Sequence, residues 1–176
     1  ALLPPVLEVF TSGLTFPKKM RWGAGDFSFG RPLRWVLALL DEDVVPVTVA
    51  GLNSDRLTWG HRVHGPGPFK LKNAFDYEKL IHDKCRVTLS GSMRRERIME
   101  HGEAAAQRAG GLVVWSHDLL VEVGGLVEHP VPIVGDFDTS FLELPKEVML
   151  TSMESHQKIF GIQNGDGDLL PHFLAT

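Results

Sequence analysis

Strand-like and helix-like apolar patterns follow one another along this chain without the strict alternation of a doubly wound fold, and that order constrains the architecture most. It predicts an α+β fold in which a mixed β-sheet packs with helices. Strand-like runs at 34–40 and 44–50 flank Asp41-Glu42-Asp43 and read as a β-hairpin, with Pro46 assigning the second run to an edge or a strand start. Between 51 and 68, Gly and Pro punctuate a polar, aromatic-bearing stretch that reads as a loop. Asp76 is placed to cap a short helix through Lys84, and 85–89 alternates as a strand. Ser92 is placed to cap a longer helix that reaches Arg108 and stops at Gly110-Gly111. A short strand at 112–114 precedes a helix capped by Ser116, whose Leu119, Leu120, Val123, Leu126 and Val127 share one face. Pro130 closes that helix, and 131–134 reads as a buried strand. Pro145 sits in the first turn of the last helix, where Val148, Met149, Ser152, Met153 and His156 form a stripe. Asn164-Gly165-Asp166-Gly167 then separates two strand-like runs and signals a hairpin.

Within 176 residues, 43% apolar and 23% charged, there is enough material for one substantial core, so a single domain is expected over 1–176. The opening segment, apolar at Val6, Leu7, Val9 and Phe10 and ending at Gly13, reads as the tail of a preceding element over 1–15, leaving 16–176 as the core. The longest apolar stretch, 35–40, is far shorter than a bilayer span, and the first residues lack the pattern of a signal peptide. Cys85 is the lone cysteine, so no internal disulfide forms, and a reducing cytoplasm fits. Cytoplasmic location without a membrane partner is the expectation.

A net charge of −4 argues against a strongly basic nucleic-acid module, but the charge is uneven. Residues 1–72 hold 9 Lys/Arg against 6 Asp/Glu, and 73–176 hold 9 against 16. Lys18, Lys19, Arg21, Arg31 and Arg34 are opposed only by Asp26, and Arg56, Arg62, Lys70 and Lys72 form a second basic run. Trp, Arg and His are dense at 16–35 and 56–69. Arg and aromatics together grip unpaired RNA by charge and stacking, and the same residues also pin loops to a core. Both readings stand at this point.

No constellation specifies an active site. His61 and His64 are three residues apart, but the glycines and prolines around them disfavour a helix, and no Cys or acidic ligand lies between Arg56 and Lys72; no metal is expected. Their role is expected to be hydrogen bonding to backbone or contact with phosphate. Ser116-His117-Asp118 holds the residue types of a hydrolytic triad, yet immediate neighbours point in different directions, and helix capping accounts for it. Asn164, Asp166 and Asp168 alternate like the first ligands of a calcium loop, but Leu169 and Ala175 stand where glycine and glutamate are needed. Gly23-Ala24-Gly25 lacks the third glycine of a dinucleotide fingerprint, and no phosphate-binding P-loop occurs. No catalytic residue and no cofactor are assigned to this chain.

Successive segments resemble signatures of one family: Phe16-Pro-Lys-Lys-Met-Arg-Trp-Gly23, Arg31-Pro-Leu-Arg-Trp-Val-Leu-Ala-Leu-Leu40 and Thr58-Trp-Gly-His-Arg-Val-His64. Leu126-Val-Glu-His-Pro-Val-Pro132, Phe141-Leu-Glu-Leu-Pro145, Thr151-Ser-Met-Glu-Ser-His-Gln-Lys158 and Leu170-Pro-His-Phe173 follow in the same order. Together they resemble the bacterial glycyl-tRNA synthetase β subunit over nearly the whole chain. The resemblance implies an internal piece of a longer subunit, similar to the B3/4 domain of phenylalanyl-tRNA synthetase. It also implies an assembly of two α and two β subunits, with tRNA for glycine as partner. In that assembly the α subunit performs glycine activation with ATP and magnesium.

Three roles follow: tRNA docking, a scaffold between subunits, or editing of mischarged tRNA. Glycine is the smallest amino acid, so a synthetic pocket rejects alanine sterically and editing is the least expected. The docking reading assigns RNA contact to Lys18, Lys19, Arg21, Arg31, Arg34, Arg56, His61, Arg62 and His64. Lys18 and Lys19 are expected to be more exposed than Arg21 or Arg62, because Trp22 and Trp59 suggest packed surroundings for the arginines.

Overall fold

The computed structural model describes residues 2–23 and 25–176, so Ala24, the middle of the Gly23-Ala24-Gly25 run, lies outside the described residues. The fold is α+β with antiparallel and mixed sheets, as the order of elements predicts. Two compact units divide it, 1–86 and 87–176.

Unit 1 begins with helix α1 (Leu3–Gly13), which carries prolines in its first turn, where their missing N–H groups have no helical partner to lose. No residue of α1 is buried. Glu8 Oε1 accepts a hydrogen bond from the Thr48 amide at 3.0 Å and ties the helix to the strands that follow. Those strands are short. β1 (Met20–Arg21) pairs with β2 (Ser28–Phe29), and Phe16, Phe27 and Phe29 cluster beside them. β3 (Val36–Leu37) runs parallel to β7 (Leu52–Asp55), which pairs antiparallel with β6 (Thr48–Val49). β4 (Leu39–Leu40) and β5 (Asp43–Val44) form the hairpin expected around the acidic turn, with Asp41 in the left-handed region at φ 52°. β8 (Leu57–Thr58) pairs with β9 (Phe69–Lys70).

The stretch 51–68 is therefore not one loop. Asn, Ser and Asp are poor strand formers, yet β7 is paired on both sides. Ser54 supplies the reason: its hydroxyl donates to the Val45 carbonyl at 2.7 Å and accepts from the Val47 amide at 3.0 Å, so the polar side chain stands in for ladder hydrogen bonds. A 3-10 turn (Ala74–Asp76) leads into α2 (Tyr77–Asp83). Asn73, not Asp76, provides the side-chain cap, accepting from the Phe75 amide at 2.9 Å.

The strand expected over 85–89 does not form. Arg86 sits at φ 56°, which turns the chain out of an extended path, and the Cys85 carbonyl is taken by the His61 amide at 2.7 Å.

Unit 2 opens with α3 (Gly91–Arg108), capped by Ser90 instead of Ser92. Ser90 is still extended, so its hydroxyl reaches the Met93 amide, and Ser92 hydrogen-bonds that hydroxyl at 2.8 Å. β10 (Leu112–Val113) and α4 (His117–Leu126) follow, the latter capped by Ser116 as expected. β11 (Ile133–Asp136) starts two residues later than expected, and Ile133 is exposed, not buried. α5 (Lys146–Ser152) ends in a π-helical turn (Met153–Gln157), closed by Lys158 at φ 57°. β12 (Phe160–Gln163) and β13 (Leu169–Ala175) form the C-terminal hairpin, where Asn164 Oδ1 accepts from the amides of Asp166 and Asp168. The strand order is β10-β12-β13-β11, antiparallel throughout. One core joins this sheet to the helices: Ile98, Ala105 and Ala106 of α3, Leu119, Leu120 and Val123 of α4, and Phe160, Ile162 and Leu174 of the strands.

Candidate nucleic-acid interface

All nine residues assigned to RNA contact lie in unit 1. Lys18 and Lys19 occupy the bend before β1, and Arg31 and Arg34 the segment between β2 and β3. Each is exposed, and none makes an ion pair or side-chain hydrogen bond among the described residues. Arg21 is exposed too, its side chain retaining 71% of its accessible surface, with Asp26 at 3.9 Å in solvent. Arg62 is likewise exposed. The packed surroundings expected for these arginines are absent because the indoles turn elsewhere: Trp22 packs edge-on against Phe27, and Trp59 against Trp35.

Arg56 differs. Its guanidinium donates to the carbonyls of Glu42 at 3.0 Å and of Leu71 and Lys72 at 3.4 Å each. It holds the start of the segment after β9 against the β4–β5 turn, which is the pinning role. His61 and His64 are also built into the structure. His61 Nδ1 accepts from the amides of Val63 and His64, and the two rings stack at 4.6 Å. Backbone bonding by His61 matches the expectation for this loop. Gly60 and Gly65 let the loop lie directly on the end of α2, where a β-carbon on Gly60 would overlap the Cβ, Cα and carbonyl oxygen of Cys85. No group of three His, Cys, Asp or Glu that could hold a metal occurs among the described residues.

Two hollows in unit 1 were not foreseen from sequence. The first, a cavity of about 520 Å³, is lined by Trp35, Leu37, Leu39, Thr58, Leu71, Ala74 and Tyr77. The second, about 280 Å³, is lined by Leu71 and Leu80 with Lys70, Lys72, Lys79, Lys84, Asp76 and Asp83. Leu71, 1% exposed, borders both. The alternation Lys70-Leu71-Lys72 was the available signal: one apolar residue turned inward between two basic ones. Lys79 and Lys84 join only because α2 folds alongside. Asp83 is held below the usual carboxylate range, first by its hydrogen bond with His82 at 2.9 Å and further by the positive charges of His82, Lys79 and Arg86. Burial pushes the Tyr77 phenol up, so it stays a neutral donor at physiological pH.

Unit 1 thus combines short strands, exposed cations, one hollow with aromatic walls and one lined by lysines. Comparison with known proteins places the chain in a family. The family described as "Glycyl-tRNA synthetase beta subunit" matches residues 1–176. The chain is 59% identical over 175 residues to the glycine–tRNA ligase beta subunit of Oleidesulfovibrio alaskensis, and 56% identical over 175 residues to that of Nitratidesulfovibrio vulgaris strain Miyazaki F. The corresponding subunit of Moorella thermoacetica is 40% identical over 175 residues. In each case 99% of this chain is covered, and the chain spans about a quarter of the relative's length. The chain belongs to the glycyl-tRNA synthetase beta subunit family. No helix among the described residues is long and apolar enough to cross a membrane.

Proposed function

We propose that this chain serves the ATP-dependent charging of tRNA with glycine as a tRNA-docking module of the β subunit. In this reading the α subunit performs the chemistry with ATP and magnesium, and two α and two β subunits assemble. Relatives named as glycine–tRNA ligase beta subunits support the reaction. The observation that carries docking is the set of exposed cations in unit 1, Lys18, Lys19, Arg31, Arg34 and Arg62, none neutralised by a described neighbour. Unpaired exposed cations cost little to keep in water, and they release counterions when they meet phosphate.

Alanine at all five, in the intact subunit, is expected to weaken tRNA binding and to reduce the slope of log affinity against log salt by roughly 0.7–0.9 for each phosphate no longer neutralised. The melting temperature should not change. Arg56→Ala is expected to do the reverse, costing ~2 kcal/mol as three carbonyls lose a charged donor, with the salt slope intact. Unchanged tRNA affinity and slope in the five-fold variant would leave a scaffold role between subunits in place of docking.

A further inference from the structure

The two hollows of unit 1 differ in chemistry and share a wall. Among the described residues no charged one lines the larger hollow, so a free amino acid, with both an ammonium and a carboxylate to neutralise, finds no partner among them. Its walls are flat or aliphatic: Trp35, 37% exposed and with its ring 4.9 Å from that of Trp59, lines it together with Leu37, Leu39 and Leu71. Two residues of its lining, Thr58 and Tyr77, carry hydroxyls. Thr58 is 3% exposed, and its hydroxyl has no hydrogen-bond partner among the described residues; the Tyr77 hydroxyl has none either. A hydroxyl with no protein partner keeps a donor and acceptor sites available to a ligand edge that bears the complementary groups. Beyond Leu71, four lysines surround the smaller hollow, and none of their side chains makes an ion pair or hydrogen bond with a described residue. Of its two carboxylates, Asp83 is already engaged by His82.

A neutral, flat-walled pocket with hydrogen-bonding hydroxyls, one side chain away from a lysine-lined hollow, matches a molecule that is neutral and aromatic at one end and anionic at the other. We infer that unit 1 holds one unpaired nucleotide of an RNA chain, its base against Trp35 with its edge on Thr58 and Tyr77, and its flanking phosphates on Lys70, Lys72, Lys79 and Lys84. RNA is favoured over a free nucleotide because four lysines around an open hollow exceed what one monophosphate engages, and they suit consecutive phosphates of a strand. The inference rests on the RNA-docking reading and adds a base-dependent component to it.

The probe is a short single-stranded RNA carrying 2-aminopurine at one position, compared with the same strand made abasic there, each titrated against the intact subunit. Stacking on Trp35 should quench the fluorescence, and the strand with a base should bind more tightly. Thr58→Val and Tyr77→Phe remove only the hydroxyls. Each is expected to weaken the base-bearing strand about fivefold while leaving the abasic strand and the salt slope unchanged. Lys70→Gln with Lys79→Gln should weaken both strands and lower the slope by about 0.7 for each phosphate that loses its lysine. Equal binding of the two strands by the unaltered subunit, or hydroxyl variants that lose both strands alike, overturns the pocket. Adenosine monophosphate binding as tightly as the RNA strand overturns RNA as the source and leaves a free nucleotide. If the base dependence holds while the five-fold variant at Lys18, Lys19, Arg31, Arg34 and Arg62 keeps its tRNA affinity, the docking surface fails and the pocket stands; the opposite pair of results fails the pocket alone.

Discussion

Gly60→Ala should destabilise unit 1 by about 3 kcal/mol, the scale of a substitution that overfills a packed site, because no side-chain rotation relieves it. The added carbon would overlap the backbone of Cys85, and the Lys84 and Cys85 carbonyls press equally on Gly65 on the far side of the same loop. The loop must therefore lift from the end of α2, breaking the hydrogen bond from the His61 amide to the Cys85 carbonyl. In a unit of this size the loss corresponds to a fall in melting temperature of roughly 12–24 °C. Lifting also displaces Trp59, hence the ring of Trp35, so quenching of a 2-aminopurine strand should fall in parallel. Gly13→Ala is the control, since a β-carbon there meets nothing within 4 Å. Equal melting temperatures for the two variants would show that the loop is not held as described.

Arg94→Met is expected to cost about 3–4 kcal/mol in unit 2. Three carbonyls depend on this one guanidinium: Gly124 at 2.6 Å through Nε, and Thr88 and Leu89 at 2.7 Å each through one terminal nitrogen. Methionine roughly preserves the apolar stem but leaves the acceptors partly buried and unpaired, at ~1 kcal/mol or more each. The guanidinium reaches the C-terminal turn of α4 because the helices lie close at Gly124, where a β-carbon would stand 3.0 Å from Arg95 Cγ. Lysine keeps the charge but offers a single nitrogen on a flexible stem and cannot serve both sides at once, so Arg94→Lys should recover less than half of the loss. Urea titration provides the measurement: the midpoint should drop with the slope unchanged. A loss under 1 kcal/mol in Arg94→Met would mean that water satisfies those carbonyls equally well.

Elements defined by local chemistry were legible in the sequence. Ser116 capping α4 and the Asn164 turn between β12 and β13 each rest on side chains that bond their own neighbours, and the acidic turn between β4 and β5 rests on Asp41, a residue type that tolerates the left-handed region. What the sequence did not reveal depends on partners far along the chain. The parallel pairing of β3 with β7 joins residues 18 positions apart, Val36 with Ser54, and the polar β7 is a strand only because both of its neighbours are in place. The alternation over 85–89 reports correctly that Cys85 is buried, but burial comes from the glycine loop lying on it and not from a sheet. The candidate site followed the same division. Exposure of Lys18, Lys19, Arg31 and Arg34 could be anticipated from charge density, whereas the clamp made by Arg56 and the hollow behind Leu71 required knowing which carbonyls and lysines the fold brings together.

The glycine loop over Cys85 makes the chain's single thiol an intrinsic reporter of opening. Cys85 is 0% exposed, and burial raises its thiol above the ordinary value, so little thiolate exists and none of it is reachable while the loop is seated. A water-soluble alkylating reagent should therefore modify the folded chain at the rate set by the fraction of time unit 1 is open, multiplied by the rate for an unprotected thiol. Gly60→Ala should accelerate that labelling, whereas Arg94→Met, acting in unit 2, need not. Labelling of the unaltered chain as fast as a free cysteine peptide would contradict the seated loop.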